Sequence, residues 1–357
     1  MGGKSKLTYE QAFHSFRISD LKDLCRLLGI KGASGLRKNE IIHKVVTKLI
    51  NKNTFEQICF YATKQEIQFF KRLIANPIIE EEDCEALYYW FARGYFFIEQ
   101  NGQAMIFDEV KQLMNSLSVE FWLKYDRFHA VCDHVKAAVH LYGVIPVEDF
   151  LSIFNGWEKV ALTRYELLDV CQRLEKRPEL VDFEIYDDLL FDEVLFDDDN
   201  GYFAYEAVYA RQGEGPYYRP SQKNFLRYAD PDYFEFNQTY KAFSNYLVQT
   251  FHVHKEIAKD ICEDIARYIH LGYQEHDILQ DLENKGIPSD KFHKADLREL
   301  LVDIINQSRN MLLKGYTPIE ANVPILIEGK RSNRNKRTRK NVQNSTHNKL
   351  VVFPTNH

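Results

Sequence analysis

The residues best placed to do chemistry in this chain are cations set around glycines. Residues 28 to 42 read LGIKGASGLRKNEII, with Lys31, Arg37 and Lys38 beside Gly29, Gly32 and Gly35. Lys22 stands just ahead of this stretch and Lys44 just behind it. Lysine and arginine at the start of a helix, where backbone N–H groups lack intrahelical partners, attract anions and phosphate above all. They neutralise charge but offer no fixed geometry for reading bases, so the chemistry expected is phosphate binding of low sequence specificity. The glycines give the connecting backbone its freedom to turn on any reading. A solvated, charged corner on a structural hairpin is the plain alternative. A second cationic group, Arg334, Lys336, Arg337, Arg339 and Lys340, lies in the polar run EGKRSNRNKRTRKNVQNSTHNK.

Other signals fail when their templates are laid on them. GGKS at 2–5 has no upstream glycine at the distance a phosphate-binding loop requires. In FDDDNG, aligning Gly201 with the invariant glycine of a calcium loop puts Phe196 at the first ligand and Ala207 at the twelfth, where a carboxylate is needed. His129, Cys132, His134 and His140 are close in sequence but do not share one helical face. No metal site, cofactor or catalytic constellation is therefore expected, and the protein reads as a non-enzyme.

Charge is strongly partitioned. The formal net charge is −6, yet residues 1–53 hold 11 Lys/Arg against 4 Asp/Glu, and residues 330–357 hold 8 Lys/Arg and no acid. The middle, 54–329, thus carries −21, which should repel a polyanion and suits it to a protein partner. Six cysteines without a CxxC pair read as reduced thiols. No run approaches the roughly 20 apolar residues of a membrane span, so no membrane partner and a cytoplasmic location are expected.

These cations have to be positioned by helices. Leu21, Leu24, Leu27 and Leu28 share one face of a first helix, with Ser19 as its expected cap, and Ile41, Ile42, Val45, Val46, Leu49 and Ile50 line a second. TFEQ and TKQE are capping boxes for helices at 55–62 and 64–75, and a third helix covers 81–93. The Asn101-Gly102 pair then predicts a hairpin, completing the layout of a winged helix-turn-helix. A divergent second copy follows. It comprises a long helix at 119–141, another helix in LYGVIPVEDFLSIFN, a helix at 164–176 and a hairpin about Asn200-Gly201. RQGEGPYYRPSQ reads as a linker, and 222–315 as helical throughout.

The fold class expected is mainly α, with small β-hairpins in two winged-helix-like units. Its parts are a leader (1–17), a helical hairpin (18–53), the winged units (54–118 and 119–210) and a linker (211–222). A helical domain (223–327) and a disordered basic tail (328–357) follow. The winged units are not expected to grip DNA. EEEDCEALYYWFARG, the helix that would enter a groove, holds five acids and one base, and 182–206 holds ten acids and no Lys or Arg. Tyr88, Tyr89, Trp90 and Phe91 read as packing residues.

ISDLKDLCRLLGIKGASGLRKNEIIHKVV resembles the helix-extension-helix module at the N-terminus of the Rho termination factor, and the related SAP motif of chromatin proteins. The likeness is carried by Leu21-Lys22, Leu28-Gly29-Ile30, Gly32, Ser34, Leu36-Arg37-Lys38 and Ile41-Ile42. It implies nucleic-acid association; DNA is expected as the partner ahead of RNA. ELLVDIINQSRNMLLKGYTPIEA is similar to a helical segment of bacterial proteins that carry a SEC-C zinc knuckle, with Gly315, Thr317 and Pro318 at the turn. The cysteine-rich knuckle is absent, so no metal is carried over. A bacterial, regulatory setting is expected. The expected function is low-specificity binding of the phosphate backbone at two basic ends, with a protein docked on the acidic body. An adaptor whose terminal charges touch only acidic proteins is the alternative.

Overall fold

Local capping sets many of the helix boundaries. The structure is a computed structural model that describes residues 7–80, 83–195, 204–287 and 294–325. It is mainly α-helical with two small antiparallel sheets. At α1 (Tyr9–Ala12), α4 (Lys52–Tyr61) and α5 (Lys64–Ala75), a side-chain oxygen of Thr8, Asn51 or Thr63 accepts a first-turn N–H. The TKQE box forms as expected. The TFEQ helix instead starts two residues before Thr54, because Asn51 Oδ1 accepts the Thr54 N–H at 3.1 Å. The described residues fall into two compact units, those within Met1–Val131 with Gln172–Pro178, and those within Cys132–Cys171 with Glu179–His357.

In the first unit α2 (Ile18–Leu27) and α3 (Lys38–Leu49) form the expected hairpin. Ser19 does not cap it. The Asp20 carboxylate accepts the backbone N–H of Arg17 at 3.1 Å, making Arg17 the cap position. After α4, α5 and α6 (Cys84–Ala92), strands β1 (Phe97–Ile98) and β2 (Ala104–Met105) pair across the Asn101-Gly102 turn. The unit continues with α7 (Asp108–Asn115) and the part of α8 (Val119–Tyr142) up to Val131.

Two expected boundaries differ from what is seen. The leader is not a leader, since Tyr9 and Phe13 are buried, with Tyr9 stacked on Phe107 at 4.6 Å and Phe13 edge-on to Phe97 at 5.0 Å. Nor does the core break at residue 53, because one cluster runs from Tyr9 to Tyr125 and includes Leu49 and Phe55. A two-helix hairpin has too little apolar surface to close its own core, so it borrows from its neighbours. Of the aromatic run, Tyr89 and Trp90 are core, while Tyr88 is 71% exposed and Phe91 39%.

The second unit takes up α8 from Cys132. It continues through β3 (Val144–Pro146), α9 (Val147–Trp157), α10 (Arg164–Leu174), β4 (Phe183–Tyr186) and β5 (Leu189–Asp192). Its sheet has the order β3-β5-β4. LYGVIPVEDFLSIFN is therefore a strand and then a helix, because Val144 and Ile145 pair with Phe191 and Leu190 of β5. The hairpin turn is Asp187-Asp188, with both residues at positive φ (46° and 65°), the signature of a two-residue type I′ turn. The expected turn at Asn200-Gly201 lies outside the described residues.

Then come α11 (Ala204–Gln212), α12 (Gln222–Phe225), α13 (Gln238–Phe251), α14 (Lys255–His270), α15 (Glu275–Asn284) and α16 (Lys294–Gln307). The last four pack around Phe243, Leu247, Ile265 and Leu301. Residues 211–222 are not a free linker. The buried Gln212 amide donates to the carbonyls of Tyr142 and Met311 at 2.6 and 2.9 Å, and Tyr217 Oη donates to the Val144 carbonyl at 3.3 Å. Among the described residues no helix is long and apolar enough to cross a membrane.

Candidate nucleic-acid interface

The corner between α2 and α3 is built by hydrogen bonds that need Gly29. The N–H groups of Gly29 and Ile30 donate to the carbonyls of Arg26 and Cys25 at 3.1 and 2.8 Å, closing α2 in a Schellman motif with Gly29 at φ +65°. Gly32 is also left-handed, at φ +75°, but Gly35 is not, so the turn does not require glycine there.

The five cations expected around this corner do not converge. Lys31, Arg37 and Lys44 are exposed. Lys22, half-buried, points its ammonium back at the Ser34 carbonyl at 3.3 Å. Lys38 turns the other way and donates to the His14 carbonyl at 2.6 Å, tying the start of α3 to the segment after α1. The start of α3 is itself occupied, because Glu40 Oε2 accepts the Arg37 N–H at 2.7 Å. A carboxylate already satisfies part of the positive helix end that was expected to receive a phosphate.

What the tertiary structure assembles instead is a groove of about 450 Å3 along α3. Gly29, Ile30, His43, Lys44, Thr47, Lys48, Asn51 and Thr54 line it, and none of these is acidic. Lys44 and Lys48 are one turn apart, and Arg37 falls on the same stripe at i−7 from Lys44. At the edge of this row His43 Nδ1 meets the Glu10 carboxylate, with Oε1 at 2.8 Å. The groove can hold an anionic strand by two ammonium groups and offer hydrogen bonds from threonine and asparagine. Lys48, Thr47 and Asn51 were not singled out in the sequence; the signal available was the i, i+4 spacing of the two lysines. Arg334, Lys336, Arg337, Arg339 and Lys340 lie outside the described residues.

The second unit also has a lysine-bearing surface groove of about 400 Å3, where Lys241, Lys255 and Lys259 stand with one acid, Glu256, and it holds a cavity of about 100 Å3 lined partly by His140, Tyr228, Glu235, His270 and Arg309. Burial pushes His270 down to about 4, so its ring is neutral near pH 7. Its Nε2 is enclosed without a hydrogen-bond partner among the described residues. Nearby, burial pushes the Asp192 carboxyl up to about 6, although its Oδ1 accepts the Val194 N–H at 3.0 Å. His129, His134 and His140 serve separate neighbours, contacting the Phe60 carbonyl, Gln222 and the Tyr228 carbonyl. Among the described residues no three His, Cys, Asp or Glu side chains are grouped to hold a metal.

No protein-family model matches this chain, and neither a curated protein nor a solved structure matches it.

Proposed function

We propose that this protein associates with nucleic acid without catalysing a reaction, gripping the phosphate backbone with low sequence specificity. The groove along α3 is one grip and the basic run 330–340 a second. The observation that carries this reading is the groove's lining, where Lys44 and Lys48 share an open surface with no acidic residue. Its setting agrees, since residues 1–53 carry an excess of seven positive charges. DNA is favoured over RNA, because no aromatic ring other than His43 lines the groove to stack an unpaired base. The acidic remainder is left for a protein partner, and the exposed Tyr88 and Phe91 on α6 are among the apolar contacts available to it in the first unit, with Val119 and Leu123 of α8.

The test is Lys44→Glu with Lys48→Glu in the full chain, measured by fluorescence anisotropy on a duplex at several salt concentrations. Binding should weaken roughly tenfold or more, and the log–log salt slope should fall by about 2. The melting midpoint should hold, since neither side chain is in the core. Undiminished duplex binding by this variant would place the grip elsewhere than the α3 groove, whereas no duplex binding by the unaltered chain would favour the adaptor reading.

A further inference from the structure

The cavity of about 100 Å3 in the second unit is lined by two side chains whose polar atoms the fold leaves unserved. His270 ends α14 and Arg309 follows α16, and both line the cavity. His270 Nε2 and Arg309 Nε are each enclosed without a hydrogen-bond partner among the described residues. The other ring nitrogen of His270 bonds the Arg309 backbone in the sense that favours a protonated ring, so Nδ1 carries the hydrogen and donates to the carbonyl. That leaves Nε2 as a bare acceptor. Arg309 Nε lies 3.4 Å from Glu235 Oε2 but is not aligned to bond it, so its N–H is a donor without an acceptor. A buried polar atom left unpaired costs about 1–3 kcal/mol, and two on one cavity mark a place for an occupant.

Size, charge and walls define that occupant. One water needs about 10–15 Å3 of such space and a dry cavity of about 150 Å3 takes benzene, so this one suits a five-membered ring. Its charges are already paired. Arg309 meets Glu235 and Glu320, Arg267 meets Asp232 at 3.6 Å, and Glu263 meets Lys259 at 2.6 Å. A charged guest therefore finds no uncompensated partner, and a neutral one is favoured. Phe234 meets Tyr240 at 5.0 Å and Tyr228 meets Tyr233 at 4.9 Å, both edge to face, so four rings of the lining offer flat apolar surface. Asp232 and Arg267, both exposed, give the lining its solvent side.

We propose that this cavity binds a small, neutral, planar heterocycle of azole type. Its N–H donates to His270 Nε2, and a ring acceptor atom takes the Arg309 Nε–H. The site is independent of the nucleic-acid grip on α3 and stands if that reading fails.

Titration of the full chain with three rings of equal size tests this, followed by nuclear magnetic resonance with isotope-labelled histidine. Pyrazole, which carries both a donor and an acceptor, should bind and move the His270 Nε2 resonance. Isoxazole lacks the N–H and pyrrole lacks the acceptor, so each should bind roughly fivefold or more weakly. His270→Phe should lose the preference for pyrazole over isoxazole; the three-ring comparison decides the matter on the unaltered chain if that variant does not fold. Equal affinity for the three rings, or no binding of any because the cavity holds only water, would overturn the proposal. So would pyrazole binding that leaves the His270 Nε2 resonance unmoved, since the ring would then sit elsewhere.

Discussion

At the scale of single residues, the cations of the opening corner show how a side chain's partner decides its availability. Lys31 and Lys44 are exposed, while Lys38 commits its ammonium to the His14 carbonyl. The same principle governs Asp192. Its folded carboxyl is pushed up to about 6 by burial, against about 3.9 in an unfolded chain. Between these values the folded state holds a proton that the unfolded state has lost, so stability falls as pH rises from about 4 through 6. The cost above pH 6 is about 3 kcal/mol at most. Asp192→Asn retains the oxygen that accepts the Val194 N–H and removes the charge. It should be near neutral at pH 3.5, below both values, and stabilising at pH 7.5, read from urea midpoints at both pH values. Equal midpoints for wild type and variant at pH 7.5 would show that Asp192 is not strained by its burial.

At the scale of elements, the end of α10 and the turn after it show chain order yielding to packing. Residues 172–178 belong with the first unit. Arg177, 5% exposed, forks onto both oxygens of Glu66 at 3.1 and 3.2 Å and donates to the Tyr61 carbonyl at 2.7 Å. Its guanidinium lies 4.3 Å from the centre of the Tyr89 ring. Glu66 also closes the capping box of α5, accepting the Thr63 N–H at 2.6 Å. Arg177→Met would strand a buried carboxylate and unpair a carbonyl, so a loss of about 3 kcal/mol or more is expected in the first unit's denaturant midpoint. Glu66→Gln combined with Arg177→Met should recover part of it, because no unpaired charge remains. Were the single variant as stable as wild type, the ion pair would be incidental to the fold.

At the scale of the whole molecule, charge and core are divided differently. The charge boundary falls near residue 53, but the core passes through it from Tyr9 to Tyr125. A fragment of residues 1–53 has lost Phe55, Phe97 and Phe107, and should show no cooperative thermal transition by circular dichroism. A sharp transition in that fragment would mean the hairpin is an independent module after all. Phosphate binding therefore has to be measured on the full chain. There, truncation after Glu328 removes eight cations and should lower duplex affinity and flatten the salt slope, by about 0.9 for each phosphate no longer neutralised. An unchanged slope would confine binding to the α3 groove.

The sequence by itself determined the mainly helical class, the α2–α3 hairpin, the capping box at Thr63 and the turn at Asn101-Gly102. It also determined the partition of charge between basic ends and an acidic middle. These features are written within a few residues of one another, through the 3.6-residue period, a cap three residues from its partner, or a simple count. Only the tertiary structure decided that Val144–Pro146 is a strand, since its partner β5 lies more than 40 residues away. It also decided that Gln212 and Tyr217 anchor a glycine-rich stretch, and that Lys44 and Lys48, rather than Lys38, share an open groove. Each of these depends on which distant backbone or side chain arrives beside the residue, and that is settled by packing of the whole core.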